Sequence, residues 1–209
     1  MGQGYPENAS PLHLPATRGY SPSNMCEEIR FCSRCGTPVE TRIPDGDTRP
    51  RQVCPACDSV HYVNPKLVVG SLPVWQDKVL LCRRAIEPRR GYWTLPAGFM
   101  ESDETLAQAA ERETLEEACA RIELQGLQTI VNIPHINQVH VIYLAGLIGG
   151  QFSPGIESLE TRLFSEEEIP WGEIAFHSVS LSLKHYFSDR RKGAFLLREE
   201  TLDAAGNPP

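Results

Sequence analysis

The chain has 209 residues, 41% of them hydrophobic and 22% charged, which suits one ordinary globular domain plus a small module. Twenty Lys and Arg against 27 Asp and Glu leave a net charge of −7, which argues against nucleic acid or an anionic membrane as a partner. No apolar run approaches the ~18–20 residues of a spanning helix, and Met1–Arg30 holds no apolar leader core, so a cytoplasmic protein is expected.

Residues 1–28 carry Pro6, Pro11, Pro15 and Pro22 without a hydrophobic period and read as a disordered tail. Residues 29–64 form a small second unit, with two Cys-x-x-Cys pairs on either side of the turn Pro44-Asp45-Gly46-Asp47. The main domain is expected over 65–195. It opens with a strand, Leu67–Trp75, the turn Gln76-Asp77-Lys78 and a strand, Val79–Arg83. A Pro- and Gly-rich loop, Arg84–Gly98, leads into a helix over roughly Glu104–Cys119 with Ser102 or Asp103 as N-cap. Strands Leu127–Ile133 and Val139–Leu147 follow, then a loop, Gly149–Gly155. Ser165-Glu166-Glu167-Glu168 has capping-box spacing and opens a short turn that Pro170 closes. In the last helix, Ser178–Arg191, Val179, Leu183, Tyr186 and Phe187 share a face and Gly193 follows the basic last turn. Residues 196–209 read as a C-terminal tail. Strands and helices mixed in this way predict an α/β fold, a sheet covered by helices.

Seven cysteines without an export signal point to metal or free thiols and not to a disulfide framework. Cys32, Cys35, Cys54 and Cys57 have the spacing Cys-x2-Cys-x18-Cys-x2-Cys, which suits a tetrahedral four-thiolate Zn2+ site with no open position. Such a site is structural. A redox dithiol is the alternative, and two matched pairs favour zinc. Cys82 reads as a small buried hydrophobe, and Cys26 has no assigned role.

Glu113, Glu116 and Glu117 sit at i, i+3 and i+4, so their side chains share one helix face. Like charges at this spacing cost a helix a few tenths of a kcal/mol per pair. A hard divalent cation such as Mg2+ removes that cost. Ala107, Ala110, Thr114 and Ala118 make an adjoining face small enough to pack closely on a sheet. On the helix alone, a solvated glutamate face is the simpler account.

The stretch Gly98-x5-Glu104-x7-Arg112-Glu113-Thr114-Leu115-Glu116-Glu117 resembles the Nudix box, G-x5-E-x7-R-E-U-x-E-E-x-G-U with U aliphatic. Every charged position is present. Thr114 and Ala120 replace bulkier aliphatics, and Cys119 replaces the final Gly, a helix-ending residue. The resemblance implies a Nudix α/β/α sandwich with a mixed sheet, preceded here by a small zinc ribbon. It implies a hydrolase that cleaves a nucleoside diphosphate linked to another moiety, using Mg2+ or Mn2+. It also implies Glu113, Glu116 and Glu117 as metal ligands with the Gly98 carbonyl, and Glu104 and Arg112 as residues that orient loop and helix. The general base varies among Nudix subfamilies, so Glu116, Glu157 and Glu160 are all candidates. For Glu157 and Glu160 a plain surface loop is the alternative.

A ribbon before a Nudix domain resembles two groups. The NADH pyrophosphatases carry an S-Q-P-W-P-F-P-x-S array after the box, where this chain has Asn132-Ile133-Pro134-His135-Ile136-Asn137-Gln138-Val139. The other group acts on FAD, ADP-ribose or related dinucleotides. Gly98-Phe99-Met100-Glu101, Gln138–Tyr143 and Ile169-Pro170-Trp171-x4-Phe176-His177 look more like that group. The expected reaction is pyrophosphate hydrolysis of such a small-molecule dinucleotide, giving AMP and a phosphorylated product. Nudix relatives are often homodimers. A rival reading is a non-enzymatic regulator that senses a nucleotide and binds nucleic acid through the ribbon. Arg83, Arg84, Arg89 and Arg90 can clamp phosphates or stay solvated. Tyr92 and Trp93 can stack on a base, and Trp93 fits a core position equally well. His135 and His140 read as structural.

Overall fold

The computed structural model describes residues 29–204, so the expected tail over 1–28, Cys26 and the last five residues lie outside it. The cysteine module is built on two tight turns. The Gly36 N–H donates to the Cys32 carbonyl, and the Asp58 N–H donates to the Cys54 carbonyl, both at 2.9 Å. Three short antiparallel strands, β1 (Glu40–Arg42), β2 (Arg51–Val53) and β3 (Val60–His61), link the turns. Cys32, Val53 and Cys54 are its only buried residues among those described, so apolar burial contributes little to holding it together.

The remaining elements are β4 (Lys66–Trp75), β5 (Lys78–Arg84), β6 (Trp93–Thr94), β7 (Ala97–Phe99), α1 (Leu106–Ala118), β8 (Ile122–Ile133), β9 (Gln138–Leu147), β10 (Ser158–Phe164), α2 (His177–Lys192) and β11 (Arg198–Thr201). They form one mixed sheet in the order β10-β5-β4-β9-β8-β11, with β6 on β5 and β7 on β4. The pairs β4–β9 and β8–β11 are parallel. Strand alternation sorts the core into two layers. Val69, Leu80, Cys82, Val141 and Ala145 pack with Ala109, Ala110 and Ala118 of α1. Leu72, Val79, Leu81, Ile142 and Leu144 pack with Val179, Leu183, Tyr186 and Phe187 of α2. The result is the expected α/β/α sandwich. No described helix is long and apolar enough to cross a membrane.

Several boundaries differ from the sequence expectation. The N-cap of α1 is Thr105, not Ser102 or Asp103. Its hydroxyl accepts from the Gln108 N–H (3.2 Å) while the Gln108 side chain accepts from the Thr105 N–H (2.9 Å), a reciprocal capping box. Glu104 therefore stands before the helix. β6 lies inside the expected loop Arg84–Gly98, and β7 begins inside it and runs one residue beyond, to Phe99. β8 begins at Ile122, five residues early, because register shifts around Gly126 and Gln128 break its alternation. β10 occupies the segment of Glu160, read as a possible surface loop. β11 lies within the expected C-terminal tail and extends the sheet beyond residue 195. It is tied to α2 by the wholly buried Asp189, which forms a bidentate pair with Arg198.

Thr114 fills its position differently from an aliphatic residue. It is buried, its hydroxyl donates to the Ala110 carbonyl (2.7 Å), and Ser71 Oγ lies 2.6 Å away, which joins α1 to β4. Cys119, where the family pattern has Gly, takes the left-handed conformation (φ 45°, ψ 33°), and its N–H donates to the Leu115 carbonyl.

Candidate active site

The glutamates of α1 fall into two environments. Glu113 and Glu117 are buried, at 8% and 7% exposure, while the Glu116 side chain is 58% exposed. Arg112 organises the cluster. Its guanidinium grips Glu104 through Nε (2.9 Å) and a terminal nitrogen (2.6 Å), and reaches Glu113 (2.7 Å), Glu116 (3.0 Å) and the Phe99 carbonyl (3.2 Å). Glu104 also accepts from the Glu101 N–H (2.8 Å). One arginine thus fastens the loop after β7 to the middle of α1.

The electrostatics follow from this placement. Arg112 and the Glu101 N–H hold the Glu104 carboxyl down at about 2. Burial pushes Glu113 above the ordinary carboxylate range, with Arg112 opposing. Burial pushes Glu117 up to about 8. The Ala97 N–H, at 3.3 Å, and the Arg84 charge oppose this, and the charges of Glu113 and Glu157 add to it. Two buried carboxylates with too few counter-charges are a good seat for a cation.

Gly98 lies against this seat. A Cβ built there would fall 2.3 Å from Glu113 Oε1, so any larger residue would displace the carboxylate from its present place. Hard oxygen donors of this kind suit Mg2+ or Mn2+.

The later acidic candidates separate. Glu160 pairs across the strands with Arg83 at 3.8 Å. Glu157 acts electrostatically on both Glu113 and Glu117, so it belongs to the cluster. Its loop is pinned to the end of α1. The Ser153 and Gly155 N–H groups donate to the Ala118 and Glu117 carbonyls (2.9 and 3.0 Å). A Cβ on Gly155 would overlap the Glu116 carbonyl oxygen at 1.7 Å. The Glu157 carbonyl accepts from the Ala85 N–H (2.8 Å).

The arginines also differ. Arg83 Nε donates to the Gly91 carbonyl (2.9 Å) and Arg84 Nε to the Pro88 carbonyl (2.8 Å). Arg89 lies over the Tyr92 ring at 5.5 Å, and Arg84 lies over the Phe176 ring at 5.1 Å. Arg90 is exposed. Trp93 is corrected by the structure. It is 6% exposed and meets Phe164 edge to face at 4.8 Å, so it is a core residue and no open platform for a base. His140 is half-buried between Ser178 Oγ (2.9 Å) and Gln138 Oε1 (3.1 Å), and burial pushes it down to about 4, so it is neutral at pH 7. His135 lies on the 3-10 turn 134–136. An open cavity of about 370 Å³ lined by Val74, Gln76, Leu144, Tyr186, Arg190 and Phe195 shares none of the candidate residues. Sequence reasoning missed the contact of Phe176 with Arg84 and the Gly155 contact, which join segments far apart in the chain and have no local signal.

The second candidate centre is the cysteine cluster. Its four sulfurs lie within 4.8 Å of one another, with Cys35 Sγ 3.4 Å from Cys54 Sγ and Cys32 Sγ 3.7 Å from Cys57 Sγ. The Arg34 N–H points at Cys32 Sγ (3.4 Å), and the Thr37 hydroxyl helps hold the Cys35 thiol down to about 6. This donor set fits Zn2+.

Comparison with known proteins assigns both units to known families. A zinc-ribbon family described as "Nudix N-terminal" matches residues 30–63, and the NUDIX domain family matches residues 64–183. A NUDIX hydrolase structure from Nitrosomonas europaea is 55% identical, covers 83% of this chain and 99% of its own, and has a TM-score of 0.78. The ADP-ribose pyrophosphatase structure from Streptococcus suis is 26% identical, covers 66% of this chain and all of its own, and has a TM-score of 0.51. Among curated proteins, the NAD-capped RNA hydrolase NudC of Vibrio cholerae is 33% identical over 76% of this chain and 58% of its own length. The ADP-ribose pyrophosphatase of Methanocaldococcus jannaschii is 27% identical over 52% of this chain and 67% of its own. The chain spans 44% to 69% of the length of the NudC relatives it matches.

Proposed function

We propose, from the premise that the chain belongs to the Nudix family, that it is a metal-dependent pyrophosphatase of ADP-ribose or an NAD-like dinucleotide. The products are AMP and a phosphorylated remainder. The observation that carries this reading is the pair of buried carboxylates, Glu113 and Glu117, under a glycine that admits the backbone to Glu113. The four cysteines would hold Zn2+ and stabilise the ribbon. Glu113, Glu116 and Glu117, with the Gly98 carbonyl, would hold Mg2+ or Mn2+. When bound, that ion supplies charge neutralisation to the pyrophosphate and lowers the pKa of an attacking water.

The chain's own residues do the rest. Arg112 keeps Glu104, Glu113 and Glu116 in one arrangement, so the site is ordered before substrate arrives. Glu157 is favoured as general base, taking the water proton on its carboxylate oxygen. It shares the field of Glu113 and Glu117 and has no ion-pair partner among the described residues, whereas Glu160 pairs with Arg83 and Glu116 with Arg112. Arg84 is favoured as a phosphate clamp. Its charge already acts on Glu117, and its Nε is anchored, leaving the terminal nitrogens to the ligand.

The test is a product assay on ADP-ribose, NADH, FAD and a 5′ NAD-capped oligoribonucleotide with Mg2+ or Mn2+. Release of AMP from ADP-ribose is expected. NMNH release from NADH, or NMN and a 5′-monophosphorylated oligoribonucleotide from the capped RNA, with ADP-ribose left intact, would narrow the substrate to the NAD-like class, which the similarity to NudC over most of this chain favours. Absence of turnover on all four, with binding retained, would support the nucleotide-sensing rival and refute the proposal.

A further inference from the structure

The segment Ile169–His177 contributes nothing to the carboxylates, yet it ends on a ring under one of the candidate arginines. Phe176 is the N-cap residue of α2 and packs its side chain against the rim of the α2-side core. Its backbone is held on both sides. The Ala175 N–H donates to the Trp93 carbonyl (2.8 Å), and the Phe176 carbonyl accepts from Val179 and Ser180 (3.1 and 3.2 Å). The ring is therefore presented by a fixed support. Arg84 Cζ lies 5.1 Å from the ring centroid, inside the range of a cation–π contact.

Arg84 differs from its neighbours in what it leaves open. Its Nε is taken by the Pro88 carbonyl, and it forms no ion pair among the described residues. Arg83 faces Glu160, and Arg89 sits on Tyr92 at the tip of an exposed loop. Arg84 alone of the three combines a ring support with a place beside the acidic loop: it faces Ser158 in strand register, the next residue, Ala85, donates to the Glu157 carbonyl (2.8 Å), and that loop is bonded to the end of α1 through the Gly155 N–H and the Glu117 carbonyl (3.0 Å).

We propose that Phe176 is a positioning residue for diphosphate binding: its ring holds the Arg84 guanidinium flat at the mouth of the carboxylate site, so that the two terminal nitrogens face one phosphate of a nucleoside diphosphate. The proposal rests on the reading of Arg84 as a phosphate clamp. An arginine already fixed on a ring loses less rotamer freedom when it binds. Lysine, with a point charge and no plane to stack, does not substitute for it.

The experiment measures KM and kcat for ADP-ribose with Mg2+, and Kd for the uncleavable α,β-methylene analogue, in the full chain. Phe176→Leu keeps the apolar packing and removes the ring. It is expected to raise KM and Kd about threefold, the scale of an exposed cation–π contact, with kcat unchanged because the clamp acts before and during reaction alike. Phe176→Tyr and Phe176→Trp are expected to restore the wild-type values. In an Arg84→Ala background Phe176→Leu should add nothing. If Arg84→Ala raises KM and Phe176→Leu does not, the positioning role is wrong and the clamp stands. If Arg84→Ala itself leaves KM and Kd unchanged, the clamp is wrong and the proposal falls with it. A Phe176→Leu defect in kcat and thermal midpoint that Phe176→Tyr fails to repair would mark a purely structural role and overturn the proposal. Wild-type protein that neither binds nor cleaves these ligands would refute the substrate reading on which both depend.

Discussion

In the ribbon four sulfurs lie within 4.8 Å of one another, whereas the box glutamates divide between two buried carboxylates, Glu113 and Glu117, and an exposed one, Glu116. The ribbon places its ligands by two local turns, each closed by a backbone hydrogen bond, and buries almost nothing else. The glutamate site is the opposite. Its glutamates ride on a helix buried against a large sheet, and their charges are kept in check by Arg112, Arg84 and a backbone N–H. A closed four-thiolate set suits a structural metal, whereas a carboxylate set with an exposed member, Glu116, is open to solvent. The contrast predicts that the ribbon needs a metal to stay folded and that the main domain, with its large buried core, does not.

The largest expected effect breaks the ribbon alone. Stripping its metal with a chelator, or Cys32→Ser, should unfold residues 30–63, since structural zinc contributes on the order of 10 kcal/mol to modules this small. Limited proteolysis should then cut within 30–63 while the remaining chain keeps its thermal midpoint. An uncut ribbon after complete metal removal would contradict the contrast drawn here.

Next in size is Glu113→Gln. It should leave the fold intact and lower kcat about a thousandfold, or ~4 kcal/mol of transition-state stabilisation. Steady-state turnover beside a thermal melt separates the two readouts, and retained activity would remove Glu113 from the metal site.

The pH dependence sharpens the comparison on the carboxylate side. A metal ligand must be ionised, and Glu117 without metal holds its proton up to about 8. Below that pH a proton must leave as the ion binds, so affinity rises with pH. Mn2+ affinity should increase about tenfold per pH unit between pH 6 and 8 and then level off. Titration followed by electron paramagnetic resonance measures it, and a flat profile would place Glu117 outside the site.

The smallest effect concerns how α1 ends. Cys119 holds a left-handed conformation (φ 45°) that costs a non-glycine residue ~1 kcal/mol. Cys119→Gly should therefore raise stability by about that amount, visible as a midpoint a few degrees higher, with kcat unchanged. A lower midpoint would show that the thiol makes a contact worth more than the strain.

Cys32, Cys35, Cys54 and Cys57 were legible because each pair closes within one turn, and the pattern of ligand types is itself the chemistry. Helical spacing puts Glu113, Glu116 and Glu117 on one face, and the whole pattern Gly98-x5-Glu104-x7-Arg112-Glu113, through its resemblance to the Nudix box, singled them out together with Arg112 and with Glu104, which stands ahead of the helix. The N-cap was misplaced by two or three residues because Ser102 and Asp103 satisfy the same capping chemistry as Thr105 and only the backbone angles choose among them. β11 was missed because Arg198-Glu199-Glu200-Thr201 has no apolar alternation. It is a strand through pairing with β8 and the buried tie of Arg198 to Asp189. Trp93 was ambiguous since an aromatic after a loop suits stacking or core, and Phe164, from a strand much later in the chain, decided for the core.

The amino-acid sequence by itself determined the two candidate ligand sets, the helix that carries one of them and the layered α/β class, because all of these depend on spacings of a few residues within a turn or a helix. Only the tertiary structure decided that Glu157 and not Glu160 joins the glutamates, that Arg84 rests on Phe176, and that Gly155 locks its loop to α1. Those outcomes depend on which strands pair and how the loops cross their ends, and the spacing of residues along one segment carries no record of that.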